Sequence, residues 1–216
     1  MSTPGHIRVV TVSRQIGSNG EAIAREVANR LEFRYLDREV IVRASEEAGV
    51  TPELVADAEH LPSLKARMLR ALSSSSEMMA ASWLALAPPL PDAVYTSEHY
   101  RGLLEDVIRE VAREGSAVIL GHGAQIILRD RWDVLRVLVS ASPQTRVMRL
   151  SEQMPDGEAE AARREMERSD AERAGYFERV YGAQWLSPAL YDLCLGTDRW
   201  SVSEAASLVC AAAQAR

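Results

Sequence analysis

Two kinds of apolar pattern alternate along the chain. Ile7 to Val12 is a short, nearly continuous apolar run, the pattern of a central parallel strand covered on both faces. Ala117 to Leu120 and Val134 to Val139 repeat it, and Phe33 to Leu36 and Tyr191 to Leu195 give two shorter strands. Between these runs the apolar positions recur at helical spacing. Ile23, Val27 and Leu31 stand at i, i+4 and i+8, which predicts a helix from about Glu21 to Leu31 with one buried stripe. Asp37 opens a second helix, with Val40, Ile41 and Ala44 inward, and Gly49 stops it. Thr96 caps a periodic helix with Tyr100, Leu103, Leu104, Val107, Ile108 and Val111 on one face, ending at Gly115. Ser142-Pro143 starts another, Glu158 to Tyr181 reads as one long helix, and Ser201 caps the last, Val202 to about Ala213.

Strands alternating with helices call for an α/β fold of three layers, α/β/α, with a parallel sheet of about five strands and ligands at the carboxyl ends of the strands. Residues 1–216 are read as one such domain. Two segments depart from the alternation. Residues 51–95 begin with the helix start Thr51-Pro52 and keep helical spacing at Leu64, Met68, Leu69 and Leu72. Serines at 73–76 interrupt them and Pro88-Pro89-Leu90-Pro91 ends them, so they are read as a helical insertion. Its apolar Met78-Met79-Ala80-Ala81 and Trp83-Leu84 are either core or the surface of a homodimer. Residues 155–184 form a helical, lid-like arm.

Composition narrows the class. Apolar residues at 47% and charged residues at 26% are the proportions of a globule with a real core. A net charge of −6 and a pI near 5.4 argue against general attraction to nucleic acid or to an anionic membrane. Glu158, Glu160, Glu165, Glu167 and Glu172, interleaved with the arginines of the long helix, argue the same for nucleic acid. Cys194 and Cys210 have neither C-x-x-C spacing nor a histidine cluster, so no disulfide framework or zinc site is expected, and both are read as small buried apolar residues. With no run of 18 apolar residues and no leader pattern in Met1 to His6, the expectation is a cytoplasmic protein without a membrane partner.

The candidate chemistry begins where the first strand ends. Ser13-Arg14-Gln15-Ile16-Gly17-Ser18-Asn19-Gly20-Glu21 reads as a glycine-rich turn that delivers the chain to a helix N-terminus. There the unpaired N–H groups and the positive end of the helix dipole face one point, a site suited to phosphate. An ordinary strand-to-helix turn has the same pattern. The phosphate-loop pattern G-x-x-x-x-G-K-[ST] also calls for a lysine, and Lys65 is the only lysine among 25 basic side chains. The ends of strands one, two and three, at Ser13 to Gly20, Tyr35 to Asp37 and Gly121 to Ala124, share one edge of such a sheet.

Taken together, these stretches resemble the cytidylate kinase-like family, a branch of the P-loop nucleoside monophosphate kinases. The resemblance rests on Ser13-Arg14-Gln15-x-Gly17-Ser18-x-Gly20, Tyr35-Leu36-Asp37 with Arg43, Val118-Ile119-Leu120-Gly121, and Leu135-Arg136-Val137 with Ala141-Ser142-Pro143. Asp170-Ala171-Glu172-Arg173-Ala174 and Trp185 through Tyr191-Asp192-Leu193 extend it to nearly the whole chain outside the insertion. It implies ATP and Mg2+ as cofactors, a small-molecule nucleotide as partner, and transfer of a phosphoryl group to a nucleoside monophosphate or similar small acceptor. It further implies donor-phosphate contacts at Ser13, Gly17, Ser18, Asn19, Gly20 and Glu21, chiefly through backbone amides. Asp37, Arg43, His122, Gly123, Asp170 and Arg173 match acceptor-side positions, and Arg163, Arg164 and Arg168 match arginines of the closing arm that neutralise the transferred group. No direct protein ligand for a metal is assigned.

The departures count as well. Gly20 stands where the lysine belongs and Glu21 where a hydroxyl residue would bind magnesium, which leaves Arg14 to supply charge from the other side of the loop. His122 replaces an arginine that relatives carry, as either a phosphate ligand or a structural donor. Gly196 replaces an asparagine. Arg43 is either an acceptor-phosphate grip or a solvent-facing helix residue, and of the adjacent Arg163 and Arg164, which point about 100° apart, only one is expected to reach a site. The alternative to a kinase is a non-catalytic nucleotide- or anion-binding protein, or an interaction protein whose insertion forms the contact surface.

Overall fold

Every residue of β1 (Val9–Arg14) up to Ser13 is buried, because this strand has a neighbour on each side and is covered on both faces. The computed structural model describes residues 6–37, 98–154 and 158–215. The chain divides into two compact units, Met1–Tyr35 with Gly115–Arg216, and Leu36–Glu114. The site lies in the first unit.

That unit holds a five-stranded sheet in the order β2-β3-β1-β4-β5, with β2 (Arg34–Leu36), β3 (Ala117–Leu120), β4 (Val134–Ser140) and β5 (Leu193–Gly196). β1 pairs in parallel with β3, Val12 opposite Leu120, and with β4, Arg14 opposite Val139; β4 in turn pairs in parallel with β5. The β4 ladder carries β1 two residues beyond the apolar run that announces it, through the hydrogen-bonding backbone of Ser13 and Arg14. From β1 the chain crosses to β2 on one side, and from β3 it crosses to β4 on the other. The carboxyl ends of β1 and β3 therefore flank the point where the strand order reverses, the place where open α/β sheets bind ligands.

One face of the sheet, Val10, Val12, Val118, Leu120, Leu135, Val137 and Val139, packs against two helices. α1 (Gly20–Leu31) contributes Ile23, Ala24, Val27 and Ala28, and the last helix contributes Ala205, Ala206, Val209 and Ala213, small side chains that let it approach closely. α3 (Ala124–Ile127) is a single turn after β3. α4 (Pro143–Ser151) starts at Ser142, whose hydroxyl accepts from the Thr145 N–H, and packs Val147 and Leu150 on Ala162 and Met166 of α5 (Ala159–Tyr181). α6 (Val202–Gln214) begins with a complete capping box of Ser201 and Glu204. In the second unit α2 (Glu98–Glu114) buries Leu103, Val107, Ile108 and Val111 on one stripe and ends before Gly115 as the spacing predicts.

Cys210 is buried as expected, but Cys194 is exposed. It sits on β5, the edge strand of the sheet, where alternate side chains face solvent. The helix expected after Asp37, Arg43, the 51–95 insertion with Lys65, and the Thr96 cap lie outside the described residues. Among the described residues no helix is long and apolar enough to cross a membrane.

Candidate functional site

Every carbonyl from Arg14 to Asn19 in the turn between β1 and α1 accepts a hydrogen bond, and those of Arg14, Ile16, Gly17 and Ser18 accept from side chains far along the chain. Arg173 donates from Nη1 to Arg14 O at 2.6 Å, and Ser18 Oγ donates to Gln15 O at 2.7 Å. Arg146 Nε donates to Ile16 O at 2.7 Å and Arg149 Nη1 to Gly17 O at 3.3 Å. Thr197 Oγ1 donates to Ser18 O at 2.8 Å, and the Ile23 N–H closes on Asn19 O at 3.0 Å. The backbone N–H groups of Ile16, Gly17, Asn19 and Gly20, by contrast, find no acceptor among the described residues. Gly17 (φ 77°) and Asn19 (φ 62°) both adopt the left-handed conformation, and the Asn19 side chain makes no cap bond. A turn whose acceptors are tied back and whose donors are open at a helix N-terminus is built for an anion.

Arg146, Arg149 and Thr197 hold this turn from behind, and Arg173 holds its first carbonyl. Arg146, on α4 and only 2% exposed, bonds bidentately to Asp170 of α5 at 2.7 and 2.8 Å, and Gln15 Nε2 reaches the same carboxylate at 3.3 Å. Arg149, one turn on, also donates to Thr197 O at 2.7 Å. Gly17 is required here, since a Cβ would lie 2.8 Å from the Arg146 carbonyl oxygen. Sequence reasoning did not single out Arg146, Arg149 or Thr197. The signal that was there, two arginines spaced i, i+3 just after a capped helix start, does not say what they bind.

Arg14 lies on the open side. A Cβ built on Gly20 would be 2.3 Å from Arg14 Cβ and 2.9 Å from its Cγ, and one built on Gly121 would be 3.0 Å from Arg14 Nη1. The side chain thus runs across Gly20 to the end of β3. The turn there, Gly121-His122-Gly123, has three successive left-handed residues at φ 82°, 57° and 66°, and the Tyr181 phenol rests on Gly123. Arg173 stacks over Trp185 with 5.7 Å to the ring centroid. Burial and the charge of Arg14 push its guanidinium down to about 10, so it stays protonated at neutral pH at a cost that a bound anion would relieve.

The other expected residues fall into three groups. The Ser13 hydroxyl is engaged with Tyr191, whose own O–H donates to Trp185 O at 2.5 Å and accepts from Gln125 at 3.3 Å; burial raises this phenol. Glu21 is exposed and pairs with Arg25 at 3.1 Å. Arg163, Arg164 and Arg168 project to solvent from α5, 52–65% exposed, and pair with Glu160 and Glu165 on the same helix. Asp37 is buried in the second unit, and Arg43 lies outside the described residues. Around the turn, then, the structure gathers Arg14, Arg146, Arg149, Asp170 and Arg173, but not the three arginines of the arm.

The residues present fit the phosphates of a nucleotide through the open amides. They fit a directly ligated metal ion less well: the carboxylate at position 21 is turned to Arg25, and among the described residues no three His, Cys, Asp or Glu side chains converge.

Comparison with known proteins identifies the family and the fold. The profile of the cytidylate kinase-like family matches residues 9–199. A cytidylate kinase of Methanopyrus kandleri is 32% identical over 112 residues, which span 48% of this chain and 58% of that protein, less than two thirds of its length. The crystal structure of an uncharacterized protein from Eubacterium ventriosum superposes with a TM-score of 0.65 at 16% identity, covering 96% of this chain and 99% of that one, and shares the fold.

Proposed function

Because the chain belongs to the cytidylate kinase-like family, we propose that it is a phosphotransferase whose β1–α1 turn holds the phosphates of ATP while a nucleoside monophosphate or similar small acceptor receives the terminal phosphoryl group. The observation that carries this reading is the hydrogen bonding of the turn: every carbonyl from Arg14 to Asn19 accepts a hydrogen bond, and the amides of Ile16, Gly17, Asn19 and Gly20 find no acceptor among the described residues.

In this reading Gly17, Asn19 and Gly20, with Ile16, contact the donor phosphates through their open amides and Glu21 stands beside them at the helix N-terminus, while Ser13 in the β1 ladder and Ser18, bonded to Gln15 O, shape the turn. Arg173, with His122 and Gly123 at the end of β3, Asp37 and Arg43, serves the acceptor. Asp170 acts through Arg146, holding the turn in shape. Arg163, Arg164 and Arg168 reach the transferred group only when the arm closes. Transfer is in-line, driven by positioning and positive charge, with no covalent enzyme intermediate. Magnesium would accompany the triphosphate and neutralise part of its charge.

One observation favours a second reading, a nucleotide sensor without turnover: the exposed, Arg25-paired Glu21 at the position of the magnesium-binding hydroxyl. Calorimetry with ATP and magnesium, followed by a coupled assay over a panel of nucleoside monophosphates, separates the two. The kinase reading expects binding and turnover with at least one acceptor, reduced in Arg43→Ala. Binding without turnover on any acceptor would establish the sensor, and absence of binding would remove both.

A further inference from the structure

We propose that Arg14 is the catalytic cation of this phosphate loop, and that residue 20 is glycine because the Arg14 side chain fills the space a lysine there would need. The inference rests on the nucleotide-binding reading above and names the group that would supply its charge.

In the pattern G-x-x-x-x-G-K-[ST] the lysine rises from the first helical residue over the loop toward the phosphates. Here that residue is Gly20, the first residue of α1. A side chain at 20 and the one present at 14 cannot coexist: the two Cβ atoms would be 2.3 Å apart, closer than any real pair, with Arg14 Cγ at 2.9 Å. The missing lysine and the presence of Arg14 are therefore one structural fact. Arg14 comes from the end of the strand rather than the start of the helix, and its Nη1 reaches the backbone of Gly121. The guanidinium thereby bridges the carboxyl ends of β1 and β3, the crevice that the strand order opens for a ligand.

Its placement is fixed at both ends. The Arg14 carbonyl accepts from Arg173 at 2.6 Å, and its amide and carbonyl belong to the last pair of the β4 ladder, opposite Val139. Gly121 is left-handed at φ 82° and without a side chain, so the guanidinium can lie against its backbone. After burial, the charge of Arg14 is what lowers the guanidinium of Arg173, so the two cations stand close enough to act on one anion. A planar fork offers two parallel N–H groups to phosphate oxygens where a lysine offers a point charge.

The test uses the full chain and four variants: Arg14→Met, which keeps the apolar stem over Gly20 and removes the charge, Arg14→Gly, which removes the Cβ that a side chain at 20 would meet, Gly20→Lys, and the double variant Arg14→Gly with Gly20→Lys. Binding of inorganic tripolyphosphate and of ATP with magnesium is measured by calorimetry, turnover by the coupled assay, and folding by thermal unfolding. Arg14→Met is expected to melt like the parent, bind tripolyphosphate roughly 10–100-fold more weakly and lose about 100-fold or more in kcat. Gly20→Lys alone should melt earlier because of the clash, and the double variant should recover both the melting temperature and a large part of the tripolyphosphate affinity. If the parent binds tripolyphosphate and Arg14→Met binds it equally, Arg14 is not the cation although the loop still holds phosphate. If the parent binds neither probe, the nucleotide-binding reading itself fails. A double variant that stays as destabilised as Gly20→Lys would overturn the exchange of places.

Discussion

Arg146 and Asp170 join α4 to α5 through two hydrogen bonds of 2.7 and 2.8 Å, while the remaining Nε of the same guanidinium holds Ile16 O at 2.7 Å. Expected from the family resemblance to face the acceptor, Asp170 is turned toward the back of the donor loop. The pair ties α5 to the loop through one buried cation. Removing the carboxylate leaves Arg146 buried and uncompensated, so Asp170→Asn should cost about 3 kcal/mol in denaturant unfolding. Adding Arg146→Met to that variant should recover part of the loss. An unchanged unfolding midpoint in Asp170→Asn would mean the pair contributes nothing.

Acid sensitivity should trace in part to Asp198. Its carboxylate accepts from the Ser142 N–H at 3.1 Å, from Ser142 Oγ at 2.5 Å and from Thr145 Oγ1 at 2.6 Å, and these bonds hold it at about 2. A folded value below the unfolded one, about 3.9, contributes stability above pH 4 that is lost as pH falls toward 2. Between these limits the parent should lose stability more steeply than Asp198→Asn, and the two curves should converge near pH 2. Parallel curves over that interval would contradict the assignment.

Gly123→Ala tests the second glycine turn. The added Cβ would meet the Tyr181 hydroxyl at 2.5 Å, and the backbone at φ 66° resists a side chain in any case. The combined cost should be about 2–5 kcal/mol. In a Tyr181→Ala background only the backbone part, about 1–2 kcal/mol, should remain. Equal costs in both backgrounds would show that the phenol yields freely.

Arg163, Arg164 and Arg168 give a prediction that separates stability from activity. Their partners Glu160 and Glu165 are as exposed as surface ion pairs usually are, so each Arg→Gln variant should change stability by less than about 0.5 kcal/mol. If the arm closes over the transferred group, Arg168→Gln and one of Arg163→Gln or Arg164→Gln should lower kcat roughly 10²–10³-fold with little change in KM for ATP. Full activity in all three would remove the arm from catalysis.

What the sequence made legible follows from the kind of contact involved. Strands such as Val118 to Leu120 are buried on both faces, so their continuous apolar runs mark them within a residue or two. The Gly17 and Gly20 turn is legible because only glycine tolerates the close approach of Arg146 and Arg14. Arg146, Arg149 and Thr197 are not legible in the same way. Their targets are the backbone carbonyls of Ile16, Gly17 and Ser18, 130 to 179 residues away, and a carbonyl is the same atom at every position. Nor does spacing tell whether an arginine on α5 faces its own glutamates, as Arg168 does, or crosses to the loop, as Arg173 does.

The central place of β1 also shapes how the molecule comes into being. The partners of Val9, Ala117 on one side and Val134 on the other, are made more than a hundred residues later. At ribosomal speed that delay is on the order of ten seconds. Throughout it the central strand of the finished sheet has neither of its neighbours, and the β1–α1 turn lacks Arg146, Arg149, Arg173 and Thr197 to tie back its carbonyls. Assembly is thus governed by long-range parallel pairing, which predicts slow refolding and a window in which Val9 to Val12 is open to association with other chains.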